Sequence, residues 1–434
     1  MTESRLAPWL SASQWPTAPI RLVARLGSGH TPSRSKPEYW ENCTVPWITL
    51  ADVWQLRAGR TNFITETKEM ISPLGLANSA AVEHPAGTVI LSRTASVGFS
   101  AIMGRDMATS QDFATWTCGP KLEPRYLLHA LRGMAPDLKR VATGSTHKTI
   151  YMPDIEQLRV PVPPLGEQRR IIDFLDAETA RIDALAAMRE CQVSLLEERL
   201  MSTWSKVIDE DARDSNWAPI RRFLTGITDG PFGSALTSSH YSDEGARVIR
   251  LGNLGRAEFR NHDHAYIPLE YFAQLQRHEA RPGDLIIAGL GDQNHPLGRA
   301  SVVPDGIGPA IVKADCFRLR LDQRKVLHEY AAWALSSQRV TDQVAMLARG
   351  STRARINLEV ARDIPIPVPS LDRQRRSIEL LREMRSSTHT VATQCRRQLA
   401  LLTERRQALI TAAVTGQFDV STASGRNVTE GVSV

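Results

Sequence analysis

Gly144-Ser145-Thr146, then Pro161-Val162-Pro163-Pro164-Leu165-Gly166-Glu167-Gln168-Arg169-Arg170 and a long helical pattern, is followed later by a second version of itself. The second version reads Gly350-Ser351-Thr352, then Pro367-Val368-Pro369-Ser370-Leu371-Asp372-Arg373-Gln374-Arg375-Arg376 and another helical pattern. It stands 206 residues after the first, both from Gly144 to Gly350 and from Gln168 to Gln374. A constant offset of that length marks a duplicated domain-plus-helix unit and is far too long for a solenoid repeat. The prolines before each helix favour extended chain and aim it into the helix.

The helices keep register as well. Core positions of the first fall at Ile172, Leu175, Thr179, Ile182, Ala186, Arg189, Val193, Leu196, Leu200, Thr203 and Val207. The same offset gives Ile378, Leu381, Arg385, Thr388, Ala392, Cys395, Leu399, Leu402, Arg406, Leu409 and Ala413. Alternating steps of three and four predict a coiled coil. Two imperfect seams of equal length most simply pack on each other, antiparallel, with a globular domain at either end. Two independent amphipathic helices are the alternative.

Upstream of each helix the pattern is mixed α/β with short strands. Val45–Leu50, Gly87–Ser92 and Phe99–Met103 read as strands and Pro124–Leu131 as a helix with proline at its start. Arg247–Leu251, Gly283–Ile287 and Tyr330–Leu335 answer three of these weakly, with diverged loops between them. The expected division is 1–160 and 211–366 as recognition domains, 161–210 and 367–420 as spacer helices, and 421–434 as a disordered tail. Residues 1 to about 24 read as an irregular lead-in.

Over 434 residues, 42% are hydrophobic and 23% charged, and the formal charge is +6 with arginine the commoner cation. Arginine forks suit phosphate oxygens and guanine edges. Five scattered cysteines without a Cys-x-x-Cys pair fit a reducing compartment and predict neither a disulfide framework nor a zinc site. No apolar run reaches the roughly 18 residues of a membrane span, and the first residues lack a signal-peptide pattern. A cytoplasmic protein with no membrane association is expected.

Motifs for chemistry are missing. There is no P-loop, no Gly-x-Ser-x-Gly, and no Asn-Pro-Pro-Tyr or Asp-Pro-Pro-Tyr. Glu66-Thr67-Lys68 precedes Pro136-Asp137 and Pro153-Asp154, which reverses the common nuclease order. His262-Asp263-His264 lacks nearby partner ligands and reads as a solvated loop. The chain looks like a binder, not a catalyst.

The residues resemble the specificity subunit (HsdS) of type I restriction–modification enzymes over nearly the whole chain. Gly29-His30-Thr31-Pro32-Ser33-Arg34 with Tyr39-Trp40 and Pro46-Trp47-Ile48 is similar to the opening of a target-recognition domain of that family. Asp229-Gly230-Pro231-Phe232-Gly233-Ser234-Ala235-Leu236 with Tyr241 and Val248–Asn253 is similar to another variant of it. Pro163-Pro164-Leu165 with Glu167-Gln168, and Ala412–Asp419, match the junction and the usual C-terminal end. Ser370 and Asp372-Arg373 depart from the junction pattern, and the first helix lacks the Val-Thr-Gly ending.

The resemblance implies a non-catalytic reader of double-stranded DNA, each domain taking half of a split target. It implies two methyltransferase subunits docked on the helices, and restriction–translocase subunits joining them. No cofactor is expected on this chain; S-adenosylmethionine, ATP and Mg2+ belong to the partners. An enzyme with an unrecognised nuclease or methyltransferase site, or a coiled-coil scaffold, are the alternatives. Loops combining glycine, hydroxyls and cations are the expected DNA contacts: Ser145, Thr146, His147 and Lys148; Arg93, Thr94 and Ser96; Ser351, Thr352, Arg353 and Arg355; and Gln293 and Asn294. Gln168, Arg169, Gln374 and Arg375, at the two junctions, are the expected partner contacts.

Overall fold

The structure, a computed structural model, describes residues 8–143, 148–213, 215–292, 294–348 and 354–421. It divides into two compact units, residues 1–191 with 395–434, and residues 192–394. Each unit therefore holds one globular region and the adjoining portions of both long helices; the first is made of two separate runs of chain and the second of one continuous run.

In the first unit Val89–Ser92, apolar up to Leu91 and buried on both faces, lies inside a five-stranded sheet. The order across it is Ala24–Ser28, Phe113–Cys118, Val89–Ser92, Ser100–Met103 and Phe63–Ile64. The first four pair antiparallel and the last runs parallel to its neighbour. In a second sheet Val45–Ile48 pairs antiparallel with Glu69–Ile71 and parallel with Ala108–Thr109. Just after Val45–Ile48, Thr49 and Asp52 close a capping box over the turn Leu50–Leu56. That turn ends the expected strand two residues early.

The second unit repeats this topology. Leu224–Thr228, Cys316–Leu321, Leu285–Ala288 and Ala300–Val302 form an antiparallel sheet in the same order. Ala246–Ile249 pairs antiparallel with Tyr266–Ile267 and parallel with Ala310–Val312. The duplication read from the helices thus extends through both globular regions, whose loops had obscured it.

From Pro8 onward the lead-in is not irregular. Thr17–Pro19 pairs with Arg159–Pro161, and Asn216–Pro219 does the same with Pro365–Val368. The proline-rich junctions are strands of these two small ladders. Proline is tolerated there because each ladder has only two strands, leaving one side of each strand free of ladder hydrogen bonds.

The long helices run Leu165–Arg213 and Leu371–Thr415. Every seam position named above is buried or half-buried. In the first unit Ile171, Ile172, Leu175 and Ile182 share a core with Leu409, Ile410, Ala413 and Val414 and with Tyr126, Leu127 and Leu131. In the second, Trp204, Val207 and Ile208 share one with Ile378, Leu381, Tyr330 and Trp333. The start of one helix meets the end of the other in both cases, so the pairing is antiparallel. Arg406 to Asp183 in the first unit and Arg373 to Asp211 in the second follow the same sense. Among the described residues no helix is long and apolar enough to cross a membrane.

Candidate nucleic-acid interface

Beyond the strand Val89–Ser92 the chain turns at Arg93–Ser96. Arg93 N donates to Asp112 O at 2.9 Å, and its own carbonyl accepts from Ile150 N at 2.8 Å. Ala95, at φ 56, donates to Lys148 O at 2.8 Å, and Thr94 bridges Thr149. Thr143 and Thr149 exchange both main-chain hydrogen bonds. The base of the Gly-Ser-Thr loop is thereby closed and laid along the Arg93–Ser96 turn. Its tip, with Ser145, Thr146 and His147, lies outside the described residues; Lys148 is exposed.

The second unit builds the same contact after Leu285–Ala288. Leu290 bridges Arg355, Gly291 N donates to Ala354 O at 3.0 Å, and Ile356 N donates to Gly289 O at 3.0 Å. Arg355 is exposed. Asn294 is also exposed, in a turn where Asp292 Oδ1 accepts from Asn294 N at 2.8 Å. Ser351, Thr352, Arg353 and Gln293 lie outside the described residues. So the candidates from distant stretches meet in pairs, Arg93–Ser96 with Lys148 and the Leu290–Asn294 loop with Arg355.

A third loop joins each pair through a hub the sequence reading missed. In the first unit the hub is Ser110–Phe113. Thr31 Oγ1 donates to Gln111 Oε1 at 2.6 Å, and Ser28 Oγ donates to Phe113 O at 3.1 Å. In the second it is Asp315, at φ 64. Its nitrogen donates to Asp229 Oδ1 at 3.2 Å, its carbonyl accepts from Gly289 N at 2.7 Å, and its carboxylate accepts from Arg355 Nε at 2.8 Å. Aspartate is among the few side chains enriched at positive φ, but nothing local in the sequence singles this one out.

The third loops are pressed onto backbone. A Cβ at Gly29 would stand 1.8 Å from Thr109 O, and one at Gly230 would stand 2.0 Å from Lys313 C. Only glycine permits either approach. Arg34 stacks on Trp40 at 4.3 Å from the ring centre and pairs with Glu69 at 2.8 Å. Lys313 lies 5.7 Å from the Tyr241 ring centre. Hydroxyls, amides, main-chain donors and cations thus converge on turns held by rigid sheets. That set can bind phosphates and read base edges.

Burial lifts the Asp229 carboxyl to about 6, opposed by the Gly230 N–H and reinforced by Asp315. A carboxyl raised above its unfolded value binds a proton more tightly in the folded state, so its contribution declines as pH rises. Folding stability of the second unit should therefore drop between pH 4 and pH 6, and Asp229→Asn should flatten that drop. Denaturant midpoints across that range measure it; identical slopes for both proteins would remove Asp229 as the cause.

The junction glutamines need correction. Gln168 and Gln374 are fully buried and offer no surface to a partner. Gln168 Oε1 accepts from Glu123 N, and its Nε2 donates to Lys121 O and Pro163 O, all at 2.9 Å. Gln374 repeats the set with Leu327 N, Lys325 O and Pro369 O at 2.8–2.9 Å. Each fastens its helix to its own globular region. Arg169, paired with Glu123, and Arg375, paired with Asp372, remain exposed.

Residues 13–190 match the type I restriction modification DNA specificity domain. The chain is 26% identical over 169 residues to the EcoR124I/EcoR124II specificity subunit of Escherichia coli, covering 38% of this chain and 40% of that one. It is 26% identical over 195 residues to the MjaIX specificity subunit of Methanocaldococcus jannaschii, covering 44% and 43%. These matches span less than half the length of either relative. A third relative, the EcoBI specificity subunit of Escherichia coli, is 21% identical over 320 residues, covering 69% and 66%. A solved chain of a type I R-M system superposes with TM-score 0.70 at 17% identity, covering 93% of this chain and 98% of that one. Sequence relatives and fold agree: residues 13–190 match a type I restriction modification DNA specificity domain, and the chain as a whole is similar to specificity subunits of type I restriction enzymes.

Proposed function

We propose that this chain is the DNA-reading subunit of a type I restriction–modification enzyme and carries no catalysis of its own. Residues 1–160 and 211–366 each read one half of a bipartite target. Residues 161–210 and 367–420 carry two methyltransferase subunits, and restriction–translocase subunits join that core. S-adenosylmethionine, ATP and Mg2+ act on the partners, and the complex works in the cytoplasm. The observation that carries this reading is the repeated three-loop hub. Its backbone bridges recur in both units, whereas its side chains differ. A conserved frame with diverged donors and acceptors is what two half-sites of different sequence require.

Purified chain incubated with duplex DNA, S-adenosylmethionine, ATP and Mg2+ should neither methylate nor cleave. Adding the methyltransferase subunits should yield adenine methylation at a split motif. Catalysis by the chain alone would overturn the assignment. Binding should weaken steeply with salt as phosphate-bound counterions are released; a flat salt response would favour a scaffold. Within that experiment Lys148→Ala should lower the salt slope by about one. The Lys148 carbonyl, not its side chain, holds Ala95, so melting should barely change. A lowered melting temperature with an unchanged slope would make Lys148 structural.

A further inference from the structure

Arg355 is held in a way that suits a neutral ligand better than an anionic one. Its main chain is fixed by the bridge to Leu290 and by buried Ile356. Its Nε donates to Asp315, and its guanidinium lies 5.8 Å from the Phe232 ring centre. Its side chain is still 52% exposed. Among the described residues its hydrogen bonding runs through Nε, which leaves the Nη1–Nη2 edge for a ligand. The Asp315 carboxylate beside it, with Asp229 behind, offsets the positive charge and disfavours a phosphate. Lys313, two residues before Asp315, lies over the Tyr241 ring. A base edge carrying two acceptors has no such penalty, and guanine presents O6 and N7 in the major groove at the spacing of an arginine fork.

The ion pair is not needed to build the turn. At the same bridge the first unit has Thr149, and at the same hub it has Gln111, without any ion pair joining them. An exposed pair of this kind also contributes little to stability. We propose that Arg355, oriented by Asp315 as a positioning residue, reads a guanine in the half-site bound by the second unit. This rests on the DNA-reading function proposed above.

The test uses the full chain assembled with its methyltransferase subunits. Methylome sequencing with wild type, R355A and R355K should show one half-site unchanged and guanine lost from one position of the other. In binding assays, replacing that guanine by 7-deazaguanine removes N7 and should weaken wild type about tenfold or more. R355A should bind both duplexes alike. D315N keeps the acceptor and should keep the preference, whereas D315A should lose most of it. The unchanged half-site reports that each variant is folded; where R355A yields no methylation, R355K in the 7-deazaguanine assay decides. An unchanged motif with uniformly weaker binding and a salt slope lowered by about one would make Arg355 a phosphate contact and overturn the proposal. So would relaxation at a position other than guanine. If the wild-type chain directs no methylation at all, the DNA-reading function falls, and this proposal with it.

Discussion

On the proposed function, exchanging residues 16–163 for the corresponding segment of a type I specificity subunit should replace one half of the methylated motif and leave the other half intact. The boundaries follow from hydrogen bonding. Thr17–Pro19 is laddered to Arg159–Pro161, and Val162 N donates to Pro16 O at 2.8 Å. An exchange beginning at residue 25 would take those partners from two parents and split buried Ile20 from its core. The incoming segment must also supply the Tyr126 hydroxyl, which donates to Pro161 O and to Val414 O of the second helix. Each mismatched base pair costs about 1–3 kcal/mol, roughly additively. Two or three altered positions therefore remove the old half-site from use. Methylome sequencing of cells carrying the exchanged chain gives the result directly. A change in both half-sites, or in neither, would show that the units do not read independently.

The parts of this molecule that were legible in its sequence are those set by local pattern. The heptad positions from Ile172 to Val207, with their 206-residue copies, are buried or half-buried without exception. Short apolar runs such as Val89–Leu91 were equally plain. What could not be read was decided by partners far along the chain. Gln111 meets Thr31 across 80 residues, and Asp315 meets Arg355 across 40. Asp315 stands in the short break between the strands Ala310–Val312 and Cys316–Leu321, with no motif of its own. Thr17–Pro19 is only three residues long, too short to show alternation, and exists as a strand because Arg159–Pro161 lies beside it. The DNA-contact candidates were found because glycine, hydroxyl and cation cluster locally. Their convergence on a common hub is a tertiary fact.

Gln168 is the sharpest case, and replacing it by alanine should cost about 3 kcal/mol of stability. Its neighbours Glu167, Arg169 and Arg170 make it look like part of a solvated run, yet it is fully buried. Alanine leaves Glu123 N, Lys121 O and Pro163 O without their partner. Each lost hydrogen bond contributes about 1 kcal/mol, and unsatisfied buried groups add to the loss. Gln374→Ala should behave alike in the second unit, because Leu327 N, Lys325 O and Pro369 O are left in the same way. Glutamate is the more telling substitution. It still accepts from Glu123 N, but as a carboxylate it faces two carbonyl oxygens with no proton to give. The folded state then favours the protonated acid, so Gln168→Glu should be less stable than Gln168→Ala at neutral pH and recover as pH falls. Arg169→Ala removes an exposed ion pair and should shift stability by less than about 1 kcal/mol. Denaturant unfolding of the four variants at neutral and acid pH, with a pull-down of the methyltransferase subunits, separates fastening from docking. If Gln168→Ala unfolds like wild type but fails to retain those subunits, the glutamine is a docking residue after all and the fastening role is wrong.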